Sequence, residues 1–346
     1  GTAGGERPQA ALAMESAPAE GSPEGRASQD EEAWSALALH LAPADLAWLR
    51  EHWAKQAAEC DEEVEAALAL SALLDGDESA GSASELERLG AELQSLTPPA
   101  RLGVIPEHYR SAGCVATHQV GSLRLATVRG GRRGHGDVLW GAACYAAELL
   151  EGASEEGGGS SEGVSMRLLR GRHLRGLRVL ELGAGLGLPS WVALRRGARV
   201  VATDLRDAER LCALATAAAL NCPEGGEAQV RPHCWGEDCS DLTSKYGGFD
   251  LILLCDCLYI TDLHDALLSS IKACLAPGGI VLAAFAQHHE HNEEVVFNFF
   301  ALAEQRGLTV EPLEEKQMPV RAINMPDKRF YVYARTLAAA SEGDGG

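Results

Sequence analysis

From about residue 100 onward, apolar runs of strand length alternate with stretches whose apolar residues recur at helical spacing. LRVLEL at 177–182 reads as a buried strand, ARVVATD at 198–204 as a second and AQVRPHCW at 228–235 as a third. FDLILLCD at 249–256 is a fourth, apolar almost throughout, as a strand covered on both faces must be. GIVLAAFA at 279–286 is a fifth, entered through a turn, AlaProGlyGly, at 276–279. Helices are predicted over 138–152, 188–197 (closed by Gly197), 207–221, 265–275 and 293–307, with LTVEPL and RFYVYART completing the pattern. Such alternation predicts a doubly wound α/β domain, a mostly parallel sheet with helices on both faces.

The first hundred residues follow another pattern. Residues 1–30 are rich in Ala, Gly, Ser, Pro and Glu and are expected to be disordered. Over 31–75, Trp34, Leu37, Leu41, Leu46 and Leu49 fall on one helical stripe, which predicts short helices in an appendage. DGDESAGSAS at 75–84 reads as a linker, and GASEEGGGSSEG at 152–163 as a flexible loop. The resulting division is 1–30 disordered, 31–99 helical extension and linker, 100–340 the α/β domain, and 341–346 a disordered tail.

Charge sharpens this division. Of the net −20, residues 1–100 carry 20 acidic and 5 basic side chains, and the rest 30 and 25. Phosphate neutralisation needs clustered bases, so no nucleic-acid partner is expected. No run of about 18 apolar residues occurs, so no membrane helix is expected. The opening GTAGGERPQA lacks the basic-then-apolar pattern of a secretory leader. Ten cysteines are scattered without a Cys-x-x-Cys pair, which predicts reduced thiols, a cytoplasmic protein and no metal site.

Chemistry concentrates at the ends of the predicted strands. Glu181-Leu-Gly183-Ala184-Gly185-Leu-Gly187 follows the first strand and opens a helix. Glycines there permit a tight turn and close approach of backbone to a ligand. A dinucleotide fingerprint asks for glycine at 188, which is Leu188; the pattern fits a nucleoside sulfonium better, since that ligand carries no pyrophosphate. Asp204 ends the second strand, where a carboxylate accepts hydrogen bonds from ribose hydroxyls; its other reading is a helix cap for 207–221. Trp235, before Gly236 at the end of the third strand, can flank an adenine or simply pack in the core. Asp256 and Tyr259 leave the fourth strand three residues apart, in the cleft of such folds, with Asp256 as a turn residue the alternative. His288, His289 and His291 follow the fifth strand and read as a polar loop at the mouth rather than a metal site.

Taken in order, LeuTrpGlyAlaAla at 139–143, ValLeuGluLeuGlyAlaGlyLeuGlyLeuProSer at 179–190, AlaThrAsp at 202–204, Trp235-Gly236 and AspCysLeuTyr at 256–259 resemble the family-16 class I methyltransferases. That group contains many protein-lysine methyltransferases and nicotinamide N-methyltransferase-like proteins. The resemblance covers roughly 100–340. It implies a seven-stranded, Rossmann-like sheet and S-adenosyl-L-methionine as cofactor, contacted by Trp140, Gly183, Ala184, Gly185, Asp204, Trp235 and Cys255; Glu181, on the strand before the glycines, is read from its position as a further cofactor-binding residue. Asp256 and Tyr259 are implied as the catalytic pair facing the substrate. Cys255 stands where the family commonly has a small residue, so only its backbone is carried over. GlyLeuProSer at 187–190 and PheAsnPhePheAlaLeuAla at 297–303 lean toward the branch acting on translation elongation factor. The expected function is therefore N-methylation of a protein lysine or N-terminal amine by a monomeric enzyme. N-methylation of a small molecule, or a non-catalytic interaction module on the same fold, are the alternatives.

Overall fold

The computed structural model describes residues 34–52, 115–128, 135–152, 168–169, 171–286, 293–321 and 325–339. The expectations for 1–30, 75–84, 153–163, His288 to His291 and 341–346 lie outside the described residues. Two compact units are present, the larger holding 40–42, 117–127 and the chain from 133 on. In the smaller, 34–38 and 43–52 are helical, and the Arg50 guanidinium lies 5.3 Å over the Trp34 ring. Leu41 leaves the expected stripe. Pro43 disfavours a helical Ala42, and Leu41 instead bridges Val230 in parallel, with Val230 N–H donating to the His40 carbonyl at 2.7 Å. Residues 40–42 thus cover part of a sheet edge, although the sequence reads them as appendage.

Strands β1 (Val115–Val120) and β2 (Leu123–Val128) form a two-stranded sheet. Then follow α1 (Gly141–Glu151), β3 (Arg178–Leu182), α2 (Leu188–Arg195), β4 (Arg199–Asp204), α3 (Ala208–Asn221), β5 (Glu227–Pro232) and the single turn α4 (Ser240–Thr243). β6 (Phe249–Cys255), α5 (His264–Cys274), β7 (Leu275–Ala286), α6 (Glu293–Gln305), β8 (Leu308–Arg321) and β9 (Met325–Ala339) complete the unit. The seven strands lie in the order β5-β4-β3-β6-β7-β9-β8. β5 through β7 are parallel, and β9 runs antiparallel to both β7 and β8. β3 has β4 on one side and β6 on the other, so the chain reverses its direction of winding there. In open α/β sheets the ligand crevice lies outside the carboxyl ends of the strands at that switch point.

Burial explains the continuous apolar strands: Val179, Leu180 and Leu182 in β3 and Leu251 to Leu254 in β6 are all enclosed. α1 and α2 pack against each other, while α5 and α6 form another pair. Phe299, Phe300 and Ala303, on the stretch that leans toward the elongation-factor branch, are buried in one core cluster with Phe285 and Leu337. They pack the domain and do not face a substrate. The predicted turn at 276–279 lies inside β7 as a break in register, between the pairs Phe249–Leu275 and Leu251–Ile280.

At the amino ends of β3 and β6, away from the crevice, Arg178 grips Asp250 through Nη2–Oδ1 at 2.8 Å, Nε–Oδ2 at 2.9 Å and its own backbone N–H at 2.9 Å. Hydrogen bonding from Arg178 holds the Asp250 carboxyl below its ordinary range. Such bonds to a charged group are worth about 1.5–3 kcal/mol. Asp250→Ala is expected to lower unfolding free energy by about that much in urea titration at pH 7. A depressed carboxyl stabilises above its unfolded pKa of about 3.9 and loses that contribution as pH falls through its folded value. The gap between wild type and variant should therefore close below about pH 4.

Candidate active site

The crevice is built on the turns that follow β3, β4, β5 and β6. After β3 the chain passes through Gly183 (φ 71°), Gly185 (φ 55°) and Gly187 (φ 69°), conformations that side chains rarely tolerate. At Gly183 an added Cβ would lie 3.0 Å from the Cys257 Sγ and 3.1 Å from the Trp235 ring. The loop is therefore a cradle whose floor is bare backbone, walled by Cys257 and Trp235.

Glu181 is not on the surface of that cradle. It is fully enclosed, and its Oε2 accepts Ser190 N–H at 3.1 Å and Ser190 Oγ–H at 2.5 Å. Gly187 provides α2 with no side-chain cap, so a carboxylate rising from the strand beneath satisfies the helix start instead. Glu181 thus supports the loop from below and is not on the exposed surface of the cradle. The other oxygen, Oε1, has no hydrogen-bond partner of normal geometry. Burial pushes the carboxyl up to about 7, against the pull of the Ser190 bonds and the Cys255 thiol.

Asp204 stands where the end of β4 meets the glycine loop. Its Oδ2 accepts Gly185 N–H at 2.7 Å and its Oδ1 accepts Leu205 N–H at 2.8 Å, which joins the end of β4 to the glycine loop. The helix-cap alternative fails, because Asp207 caps α3 by accepting Arg210 N–H at 2.8 Å. Arg210 Nε stands 3.8 Å from Asp204 Oδ1, and its guanidinium packs against Gly136. Burial raises the Asp204 carboxyl, opposed by Gly185 N–H and Arg210.

Trp235 lies three residues beyond the end of β5 rather than on the strand. The loop that carries it is held from below: Ser270 Oγ accepts Gly236 N–H at 2.8 Å and lies 3.0 Å from His233 Nε2. Trp140 precedes α1 and spends its indole N–H on the His135 carbonyl at 2.8 Å, so its ring face is what it offers a ligand. Ala184 N–H donates to the Thr203 carbonyl at 2.8 Å, and Cys255 ends β6 with a thiol raised well above the ordinary range by burial and by Glu181.

At the exit of β6, Asp256 takes a left-handed conformation (φ 59°) and is 7% exposed. Its Oδ1 accepts Ala286 N–H at 3.2 Å, which pins the ends of β6 and β7 together. Tyr259 is 47% exposed and meets the His135 ring at 5.6 Å. The two residues paired by sequence therefore differ in kind: Tyr259 presents itself at the mouth, while Asp256 is enclosed behind it. Sequence reasoning missed His135, Ser270 and Arg210, which reach the site through tertiary contact with no spacing that signals them; Cys257 falls within the AspCysLeuTyr motif, which by itself assigns it no role.

A family model described as lysine methyltransferase matches residues 121–305, from the hairpin turn through α6. The chain belongs to the lysine methyltransferase family. The resemblance read from the ordered motifs is thus borne out, and the seven-stranded sheet with one antiparallel strand inserted near its edge is the fold that it implied. Among curated relatives, the protein N-terminal and lysine N-methyltransferase EFM7 of Candida glabrata is 34% identical over 185 residues, covering 52% of this chain and 66% of that one. The protein N-lysine methyltransferase METTL21A of Danio rerio is 38% identical over 122 residues, 35% of this chain and 54% of its own. The EEF1A lysine methyltransferase 3 of Mus musculus is 33% identical over 123 residues, with 36% and 51% covered. The matches span two thirds or less of these relatives' lengths.

Within this family fold, Asp204→Ala removes the acceptor at the end of β4 and leaves Gly185 N–H without its partner. Binding of S-adenosylhomocysteine, measured by calorimetry, is expected to weaken by about 2 kcal/mol with the thermal transition still cooperative. Unchanged affinity would show that Asp204 serves only the loop.

Proposed function

We propose that the chain transfers a methyl group from S-adenosylmethionine to a protein amine, a lysine side chain or an N-terminal amine. The observation that carries this reading is the bare-backbone cradle at the switch point, with Asp204 bound to its floor through Gly185. The cradle fits the cofactor: a side chain at Gly183 would fill it, and it offers a carboxylate that retains free lone pairs for hydroxyls. Gly183, Ala184 and Gly185 would hold the cofactor through backbone, Asp204 its ribose, Trp235 and Trp140 its flanks, and Cys255 would contribute backbone. When bound, S-adenosylmethionine supplies a methyl group already activated by a positively charged sulfur.

The protein's own task is then alignment and desolvation. A lysine amine has a reference pKa of about 10.4 and must lose a proton before it attacks. Enclosure at the mouth favours the neutral amine, while a nearby carboxylate opposes it. Asp256, bound to Ala286 N–H, is suited to shaping the exit of β6, and the exposed Tyr259 hydroxyl to orienting the incoming amine.

The family membership and the names of the relatives favour a protein acceptor over a metabolite. EEF1A, named in the mouse relative, is the first acceptor to test. The near balance of charge outside the first hundred residues fits a partner other than nucleic acid. Among the described residues no helix is long and apolar enough to cross a membrane. The eight described cysteines are free thiols, which suits the reducing cytoplasm in which we propose that a monomer works. The reading is tested by incubating the protein with tritiated S-adenosylmethionine and a cell extract. Label is expected in a protein band; label confined to small molecules would overturn the protein acceptor, and no label would overturn transfer altogether.

A further inference from the structure

The residues that bridge the cradle and the exit of β6 belong to neither. The turn His135–Asp137 lies over the glycine loop, with the Gly136 carbonyl oxygen 3.1 Å from where a Cβ on Gly185 would stand. The His135 ring stacks on Trp140 at 6.0 Å and meets Tyr259 at 5.6 Å with a 50° tilt. Its carbonyl accepts Trp140 Nε1–H at 2.8 Å and Val138 N–H at 3.4 Å, so the turn is pinned while the ring stays exposed.

We propose that His135 is a catalytic residue, the group that takes the proton from the acceptor's ammonium before methyl transfer. This rests on the function proposed above. The other groups around the mouth are poorly placed for that task. Asp256 is enclosed and its Oδ1 is engaged by Ala286 N–H. The Tyr259 phenol is pushed above its ordinary value by burial and by the negative groups near it, so it keeps its own proton at neutral pH. Asp204, at the end of β4, faces the Gly185 amide and Arg210, and Arg210 packs on Gly136 beside the histidine. Asp137 follows on the same turn. Imidazole is the side chain that ordinarily titrates between pH 5 and 8, and the commonest general base.

The balance is simple. An N–H bond of the ammonium breaks, its proton goes to an imidazole nitrogen, and the amine keeps the electron pair. The amine then forms the N–C bond as the C–S bond breaks, that bond's electrons remaining on sulfur. The imidazolium afterwards yields its proton to water.

At pH 7 a free lysine is neutral in only on the order of one molecule in a thousand. With His135 as acceptor of the proton, wild-type kcat on unmodified recombinant EEF1A should vary far less between pH 7 and pH 9 than that of a variant without the imidazole. His135→Gln should lower kcat at pH 7 by about 100-fold or more and climb roughly tenfold per pH unit toward pH 9, following the lysine itself. His135→Ala should recover part of its loss when free imidazole is added. A readout independent of turnover is carbethoxylation by diethylpyrocarbonate, mapped by mass spectrometry. His135 should react in the free protein and be shielded by EEF1A in the presence of S-adenosylhomocysteine. A flat profile with near wild-type kcat in His135→Gln overturns the proposal, as does an unshielded His135. A loss of S-adenosylhomocysteine affinity matching the loss of kcat overturns it too, by assigning the residue to cofactor binding. Wild-type protein that labels no protein amine at any pH removes the proposed function itself, and this role with it.

Discussion

Gly183→Val is expected to abolish cofactor binding while the domain still folds. Two costs combine at this position. The backbone sits at φ 71°, where an L side chain costs roughly 1–2 kcal/mol and a β-branched one more. The new Cβ also meets the Cys257 Sγ at 3.0 Å and the Trp235 ring at 3.1 Å. Neither neighbour is free to retreat. Cys257 is buried and donates its S–H to the Leu182 carbonyl at 3.2 Å, and the Trp235 loop is tied through Gly236 to Ser270 and His233. The side chain therefore grows into the cradle or tilts the loop away from it. A loss of at least about 100-fold in S-adenosylhomocysteine affinity, about 3 kcal/mol, is expected by calorimetry. Circular dichroism should show a folded protein with a lower Tm. Gly183→Ala should fall between. Retention of wild-type affinity in the valine variant would mean that the ligand is held elsewhere.

The second large effect is on stability and concerns Glu181. Its carboxyl is pushed up to about 7 by complete burial, from an unfolded value near 4.5. An acid whose folded pKa is raised binds its proton more tightly in the native state. Its contribution is therefore fully present below the unfolded pKa and lost as pH rises through about 7. At about 1.4 kcal/mol per tenfold change, the native state forfeits on the order of 3 kcal/mol between pH 4.5 and pH 8 through this one group. Glu181→Gln keeps an oxygen for Ser190 N–H and Oγ–H and removes the charge. Its unfolding free energy should be the less pH-dependent of the two, with the variant gaining on wild type as pH rises. Chemical unfolding at a series of pH values measures this. Parallel curves for the two proteins would show that Glu181 is ionised at no cost, through contacts that the buried geometry does not provide. Glu181→Leu tests the other half of the role: with Ser190 N–H left unpaired, it should destabilise at every pH.

Much of this was legible in the chain because β3 and β6 are covered on both faces. A strand so placed must be apolar nearly end to end, and Val179 to Leu182 and Leu251 to Leu254 are. The glycines announced the loop because positive φ at 183, 185 and 187 leaves little alternative. Asp204 was read correctly as lying at a strand's end, yet only geometry separated it from Asp207 as the helix cap. Glu181 shows the limit of strand patterns. Where both faces of a strand are buried, alternation no longer tells a residue that points at ligand from one that points beneath it, and a lone acid in an apolar run looks functional either way. Trp235 was placed on the strand because AQVRPHCW continues the β pattern, but β5 ends at Pro232; after His233 N–H donates to the Asp204 carbonyl at 2.8 Å the chain turns away at Trp235-Gly236. Residues 40–42 and His135 were invisible for a different reason. Their partners, Val230 and Tyr259, are more than a hundred residues away in sequence, and no periodicity encodes such a contact.

The central claim is transfer of a methyl group to a protein amine. Its most direct test is the intact mass of unmodified recombinant EEF1A after incubation with S-adenosylmethionine and the protein, followed by fragmentation to locate the change. The account predicts a gain of one or more methyl masses, on a lysine or the N-terminal amine, that is lost when Gly183→Val replaces the wild type. An unchanged mass of EEF1A, with label from tritiated S-adenosylmethionine confined to small molecules when the same protein is incubated with a cell extract, would contradict it.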